Sequence, residues 1–202
     1  MNKYNYKHKM PRPERWLMLY EIRIHGRGGQ GAVSAGRLLG EAASGAGFYV
    51  QSFPEFGAER SGAPVTAYAR LANEPIETRS PVNRPDFILI IDPYLAVNAK
   101  SVMGLKEEGM VISNSDRSPE SVRNSLGVKA AQKVASVNAT KIAVEAIGRN
   151  NPNTPILGAW AAVSRVIPVS LIIEAVKKSF PGNMGEANAE AVRRGAAEVI
   201  AN

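Results

Sequence analysis

The chain has 202 residues, 45% of them apolar, with 25 basic against 18 acidic side chains, two histidines and no cysteine. That is enough chain for one domain with a sizeable core, and it excludes a disulfide scaffold, an iron–sulfur cluster or thiolate zinc site held by this chain alone, and a histidine-built metal cage. The longest strongly apolar run is Phe87–Ile91, far short of the roughly 20 residues that span a bilayer.

Residues 1–19 read as a basic extension and 20–202 as a single domain. Lys3, Lys7, Lys9, Arg12 and Arg15 oppose only Glu14 in the first 15 residues, so the extension carries most of the net charge of +7. The body is only mildly basic and lacks the aromatic-studded basic face of a nucleic-acid binder. The extension reads as a solvated arm or as a docking segment for an acidic partner. Trp16 to Leu19 are apolar enough to pack on the body or on a neighbour. The absence of a secretory core and of disulfides fits a cytoplasmic protein.

The fold starts with an apolar strand, Tyr20–Ile24, and a helix of small residues, Ala32–Ala43. Between them stands Gly26-Arg27-Gly28-Gly29-Gln30-Gly31. A glycine turn joining a strand to a helix exposes unpaired N–H groups at the positive end of the helix dipole, which attracts phosphate. The spacing also satisfies G-x-G-x-x-G, the dinucleotide fingerprint. A strand Phe48–Phe53 follows, and it should end on an acid that holds the ribose hydroxyls of a nicotinamide or flavin cofactor. None is there, and Glu55 comes only after Pro54. Three readings of the turn stay open: a phosphate-bearing ligand other than NAD, a cofactor shared with another chain, or tight packing at a subunit interface.

Residues 53–64 form a loop rich in Gly, Pro and charge, placed at the carboxyl edge of a parallel sheet, where ligands bind in such folds. Glu55, Glu59 and Arg60 are candidates to meet a ligand or partner there, or to pair within the loop. Val65–Leu71 is the next strand. Phe87–Ile91, closed by Asp92 and Pro93, reads as a strand covered on both faces. A helix is expected over Leu95–Glu108, then strands Met110–Ser113 and Lys133–Val137, and a helix Ala139–Ile147. Asn138 reads first as a cap of that helix and second as a site residue. Thr154-Pro155 is expected to start a helix Ile156–Val163, Pro168 a helix to Lys178, and Asn183 with Glu186 to form a capping box for a helix reaching Ile200. The fold class that follows is α/β: a Rossmann-like, mostly parallel sheet with helices on both faces and a helical C-terminal third. His25 reads as the end of a strand rather than a base. No Ser-His-Asp set, paired acid–base carboxylates or P-loop lysine is visible.

The glycine turn, the loop Gly57-Ala58-Glu59-Arg60-Ser61-Gly62-Ala63-Pro64, Asn138-Ala139-Thr140, Asn153-Thr154 with Leu157-Gly158-Ala159, and Asn188-Ala189-Glu190-Ala191 with Arg194-Gly195 together resemble the gamma subunit of 2-oxoacid:ferredoxin oxidoreductases, best known as pyruvate:ferredoxin oxidoreductase. The resemblance runs in order from about Tyr20 to the end. It implies a multisubunit enzyme that oxidatively decarboxylates a 2-oxoacid, with pyruvate preferred over 2-oxoglutarate, branched-chain acids or indolepyruvate, forms acyl-coenzyme A, reduces ferredoxin, and also runs in reverse. It implies alpha, beta and delta-type partner subunits, with thiamine diphosphate and iron–sulfur clusters carried by them, coenzyme A as co-substrate, and no membrane or nucleic acid. This chain is not expected to be catalytic alone. On that reading Gly26, Arg27, Gly28, Gly29, Gln30 and Gly31 face the coenzyme A or cofactor passage, with Glu59, Arg60 and Asn138 beside it. The rival readings are an independent Rossmann nucleotide-binding protein and a non-catalytic assembly module.

Overall fold

A computed structural model describes residues 18–55 and 63–202. In chain order these form β1 (Leu19–Arg27), α1 (Ala32–Gly45), β2 (Tyr49–Pro54), β3 (Pro64–Ala72), β4 (Phe87–Ile90), two short 3-10 turns (Leu95–Val97 and Ala99–Val102), β5 (Met110–Asn114) and α2 (Pro119–Leu126). They continue with β6 (Lys133–Val137), α3 (Ala139–Ile147), α4 (Asn153–Ser164), α5 (Val169–Ser179), α6 (Asn183–Glu198) and β7 (Ile200–Ala201). One sheet holds all seven strands in the order β2-β3-β1-β4-β5-β6-β7. β1, β2, β4, β5 and β6 share one direction, while β3 and β7 oppose it. The fold is the expected mostly parallel α/β sheet, with its last third helical.

Successive side chains along a strand point to opposite faces, and this divides the core in two. Ile22 and Ile24 of β1, Leu89 of β4 with Ile91, and Ile112 of β5 face a layer built from α1 and α3–α6, where Trp160 is fully buried. Ile88, Ile90, Val111 and Val134 face the other way, onto the 3-10 turns and α2, through Leu95, Val122 and Leu126. Connections therefore change face between neighbouring strands. The chain leaves β1 over the first layer and leaves β4 over the second. The crevice between such strands, at their carboxyl ends, is where ligands bind in open α/β sheets.

Several sequence-based expectations need correction. The helix over Leu95–Glu108 is instead the two 3-10 turns, with Asn98 extended between them and accepting a hydrogen bond from the Lys100 N–H. Gly104, at φ 78, passes so close to the Asn83 carbonyl that a Cβ there would overlap it. No helix is expected between β5 and β6, yet Ser118 caps α2 with Pro119 at its first position. α4 starts one residue before Thr154, and no side chain caps it. Thr154 instead donates to Asn188 Oδ1 at 3.1 Å inside the bundle. Asn183 and Glu186 form no capping box; Gly182 is the cap residue of α6, and Glu186 pairs with Lys177. The final helix ends at Glu198, because Ile200 and Ala201 add a short strand to β6.

One departure bears on function. A dinucleotide-binding half places the second strand beside the first. Here β3 lies between β1 and β2, antiparallel to both. The end of β2 is thus two strand spacings, about 10 Å, from the glycine turn, and the usual ribose-binding position does not exist beside it.

Candidate functional site: the carboxyl rim of the sheet

The glycine turn is locked by side chains that return to it. Gln30 accepts the Arg27 N–H at 2.8 Å and donates through Nε2 to Asp92 at 2.7 Å. Arg27 Nε lies 3.1 Å from the same Asp92 oxygen. The other Asp92 oxygen accepts the Tyr94 N–H at 2.8 Å. Asp92, 1% exposed, therefore staples the turn after β1 to the turn after β4, across the crevice. Gln30 is committed to this staple, and half-buried Arg27 shares its charge with it. The sequence placed Asp92 at a strand end but assigned it no role; its signal is an acid closing an apolar strand at the ligand-binding edge.

Within the turn the glycines differ. Gly26 packs against Ala32 and Ile91. Gly28 donates its N–H to the Ala63 carbonyl, tying the turn to the start of β3. Gly31, at φ 81, is the cap residue of α1, with no side-chain cap and no acid in the first turn. Gly29, at φ 93, is exposed, and among the described residues a Cβ there would meet nothing within 4 Å. The backbone at Gly29 is thus open to an approaching group, beside an uncapped helix N-terminus.

Beneath the turn, the β1–β3 face carries polar groups where the other half of the sheet carries aliphatic ones. Arg23 Nε donates to His25 Nε2 at 3.0 Å, and its Nη2 holds the Ser101 and Met103 carbonyls. Burial, reinforced by the Arg23 charge, drives the His25 pKa down to about 4 against a hydrogen bond with the Ser101 backbone. His25 is therefore neutral at physiological pH and structurally committed. Tyr68 donates to Glu55 at 2.7 Å; burial first, then this bond, raises its pKa to about 12. Arg70, 1% exposed, pairs with Glu21 at 2.9 Å and also reaches Gln51 and the Ser80 carbonyl.

On the α2 side of the crevice lies a cleft of about 480 Å³, lined by Pro93, Tyr94, Val97, Asn114, Arg117, Val122, Asn138 and Thr140 among others. Asn114 stitches its floor: it donates to the Ile91 carbonyl and to Thr140 Oγ1 and accepts the Thr140 N–H. Asn138 caps α3 through the Lys141 N–H at 3.0 Å while also lining the cleft. The glycine turn, Asp92 and Asn138 thus share one rim. Glu59 and Arg60, with residues 1–17 of the extension expected over 1–19, lie outside the described residues. No group of three or more His, Asp or Glu able to hold a metal occurs among the described residues. The chain lacks cysteine altogether, so iron–sulfur ligation does not fit it. No helix among the described residues is long and apolar enough to cross a membrane.

Comparison with known proteins gives this rim a context. The sequence profile of the family described as pyruvate ferredoxin/flavodoxin oxidoreductase matches residues 21–198. The common gamma subunit of pyruvate/ketoisovalerate oxidoreductases from Pyrococcus furiosus is 47% identical over 87% of this chain and 94% of its own length. The crystal structure of the pyruvate oxidoreductase subunit PORC from Thermotoga maritima superposes with a TM-score of 0.81 at 42% identity, covering 91% of this chain and 98% of that one. A 2-oxoglutarate:ferredoxin oxidoreductase from Magnetococcus marinus, solved with 2-oxoglutarate, coenzyme A and succinyl-CoA, shares the fold, with a TM-score of 0.71 at 20% identity over 89% of this chain and 30% of that one. The chain belongs to the pyruvate ferredoxin/flavodoxin oxidoreductase family, among its gamma-type subunits.

Proposed function

We propose that this gamma subunit lends the rim around Gly26–Gly31 to the coenzyme A passage of a cytoplasmic enzyme that converts pyruvate, coenzyme A and oxidised ferredoxin into acetyl-coenzyme A, carbon dioxide and reduced ferredoxin. The observation that carries this reading is the open backbone at Gly29 beside the uncapped N-terminus of α1, at the crevice between β1 and β4. Phosphate is the natural guest of such a place. The electron pair released on cleaving the bond between the carboxyl and keto carbons passes, one electron at a time, to two oxidised ferredoxins, the acyl group passes to the coenzyme A sulfur, and the thiol proton is released. Thiamine diphosphate, held by companion subunits, supplies the electron sink for that cleavage. The part of this chain is to hold and orient coenzyme A, with Arg27 and Arg60 as anion contacts; alone it does not turn over. Alpha, beta and delta-type chains and ferredoxin complete the assembly.

Pyruvate is preferred here, yet the oxoacid side chain is read on other chains. The Pyrococcus relative is named as common to pyruvate and ketoisovalerate enzymes, as expected of a subunit that meets the shared co-substrate. An independent nicotinamide enzyme is disfavoured by β3, which occupies the place beside β1 where a ribose-holding strand would stand.

In the reconstituted complex, Arg27→Ala and Arg60→Ala should each raise the KM for coenzyme A about tenfold, the scale of one lost charge-assisted hydrogen bond, while leaving the KM for the 2-oxoacid unchanged. An unchanged coenzyme A KM in both variants removes the proposal.

A further inference from the structure

The sheet has two edges, and they are built differently. β7 closes one edge with only two residues, Ile200 and Ala201. β2 closes the other with six, Tyr49-Val50-Gln51-Ser52-Phe53-Pro54. Just past β2, Glu55 donates its N–H to the Thr66 carbonyl at 2.8 Å. Bonding alternates along an antiparallel pair, so Tyr49, Gln51 and Phe53 bond to β3, while Val50 and Ser52 turn their N–H and C=O groups outward. No strand among the described residues pairs with that outer side. Proteins blunt such edges with charge, bulges, proline or shortness. β2 carries no charged residue, its pairing with β3 runs without a bulge, and proline stands only at its end. Tyr49 on this strand is 51% exposed. Phe53, two positions of the same face further on, packs its ring 5.2 Å from that of Tyr68.

We propose that residues Lys3–Met10 of this same chain add to the outer side of β2 as an antiparallel eighth strand. The sequence of that segment carries the pattern. Tyr4, Tyr6, His8 and Met10 alternate with Lys3, Asn5, Lys7 and Lys9, the period of two that marks a strand with one buried face. Pro11 and Pro13 end the alternation. The family profile starts only at residue 21, so this segment is a feature of the chain rather than of the shared domain.

Reach and direction agree with the assignment. The chain enters β1 at Leu19, which stands opposite Ala72, and Ala72 in turn stands opposite Tyr49. The entry to β1 and the start of β2 therefore lie in one row across the sheet. From β1 past β3 and β2 to the outer side is three strand spacings, about 15 Å. Residues 11–17 span up to roughly 23 Å when extended. A segment that ends at the foot of β2 and then crosses to Leu19 must run down β2 against its direction, which is antiparallel. The face bearing Tyr4, Tyr6, His8 and Met10 then joins that of Tyr49 and Phe53, where aromatic neighbours across strands attract. Lys3, Lys7 and Lys9 come to the edge as well and give it the charge that β2 lacks.

The test is amide hydrogen exchange of the full chain, read residue by residue by NMR at two protein concentrations and repeated on the chain without residues 2–10. Val50 and Ser52 should exchange about tenfold or more slowly in the full chain than in the shortened one, equally at both concentrations. Gln51 and Phe53, bonded to β3, should stay protected in both, which certifies the fold. Tyr6→Pro, which removes a ladder donor, should bring Val50 and Ser52 to the rates of the shortened chain. Unprotected Val50 and Ser52 in the full chain overturn the proposal, as do equal rates with and without residues 2–10 or parental rates in Tyr6→Pro. Protection that grows with concentration also overturns it, because the strand would then come from a second copy.

Discussion

Glycine does opposite work in two regions of this molecule. Where α4 crosses α6, Gly158 and Gly195 stand where a Cβ would overlap the Val192 and Pro155 carbonyl oxygens. Those glycines let two helix backbones touch. At the rim, Gly29 has a left-handed φ of 93 and no described residue within 4 Å of where a Cβ would stand. The space beside Gly158 and Gly195 is filled by the chain itself; the space beside Gly29 is filled by no described residue. On the function proposed above the first serves stability and the second binding, and substitution should separate them.

The largest effect is expected at the crossing. Gly195→Ala must push α4 and α6 apart, because the obstacle is backbone and cannot rotate away. Such overpacking should cost about 3 kcal/mol or more, seen as a lower midpoint in chemical unfolding of the chain. A cost near zero would show that the helices are not in contact there, and the contrast with the rim would be lost.

The polar underside of the rim should reveal itself in acid. His25 has a folded pKa of about 4, below its ordinary 6.5. Between those values the unfolded chain binds a proton that the folded chain does not. The contribution is therefore complete above pH 6.5, falls as pH drops toward 4, and is lost below that. The total is about 3 kcal/mol. Urea unfolding at pH 7 and pH 4.5 should show the drop, and His25→Gln should remove most of the difference. An equal drop in His25→Gln would assign acid sensitivity to carboxylates elsewhere.

How much of this was legible in the sequence follows from physics that is local or not. The run Phe87–Ile91 and the turn Gly26–Gly31 show themselves by composition alone, and both stand where expected. The direction of β3 does not show itself, because the alternation in Val65–Leu71 is the same for either orientation. The stretch from Leu95 looked helical by its apolar content, yet Asn98 and Gly104 break it, for reasons that involve Asn83 some twenty residues earlier. Asn138 was readable as a cap, since capping is a contact three residues away. The Asp92 staple and the Asn114–Thr140 stitch join residues distant in sequence, and nothing local announces them.

The smallest change in stability, and the sharpest test, is at Gly29. Alanine there accepts a left-handed backbone at a cost of about 1–2 kcal/mol, without colliding with any described residue. Steady-state kinetics of the reconstituted Gly29→Ala complex measure whether the rim, rather than the interior, meets the co-substrate. The account predicts a KM for coenzyme A raised several-fold with the 2-oxoacid KM unchanged. A parental coenzyme A KM in a complex that assembles normally would contradict it.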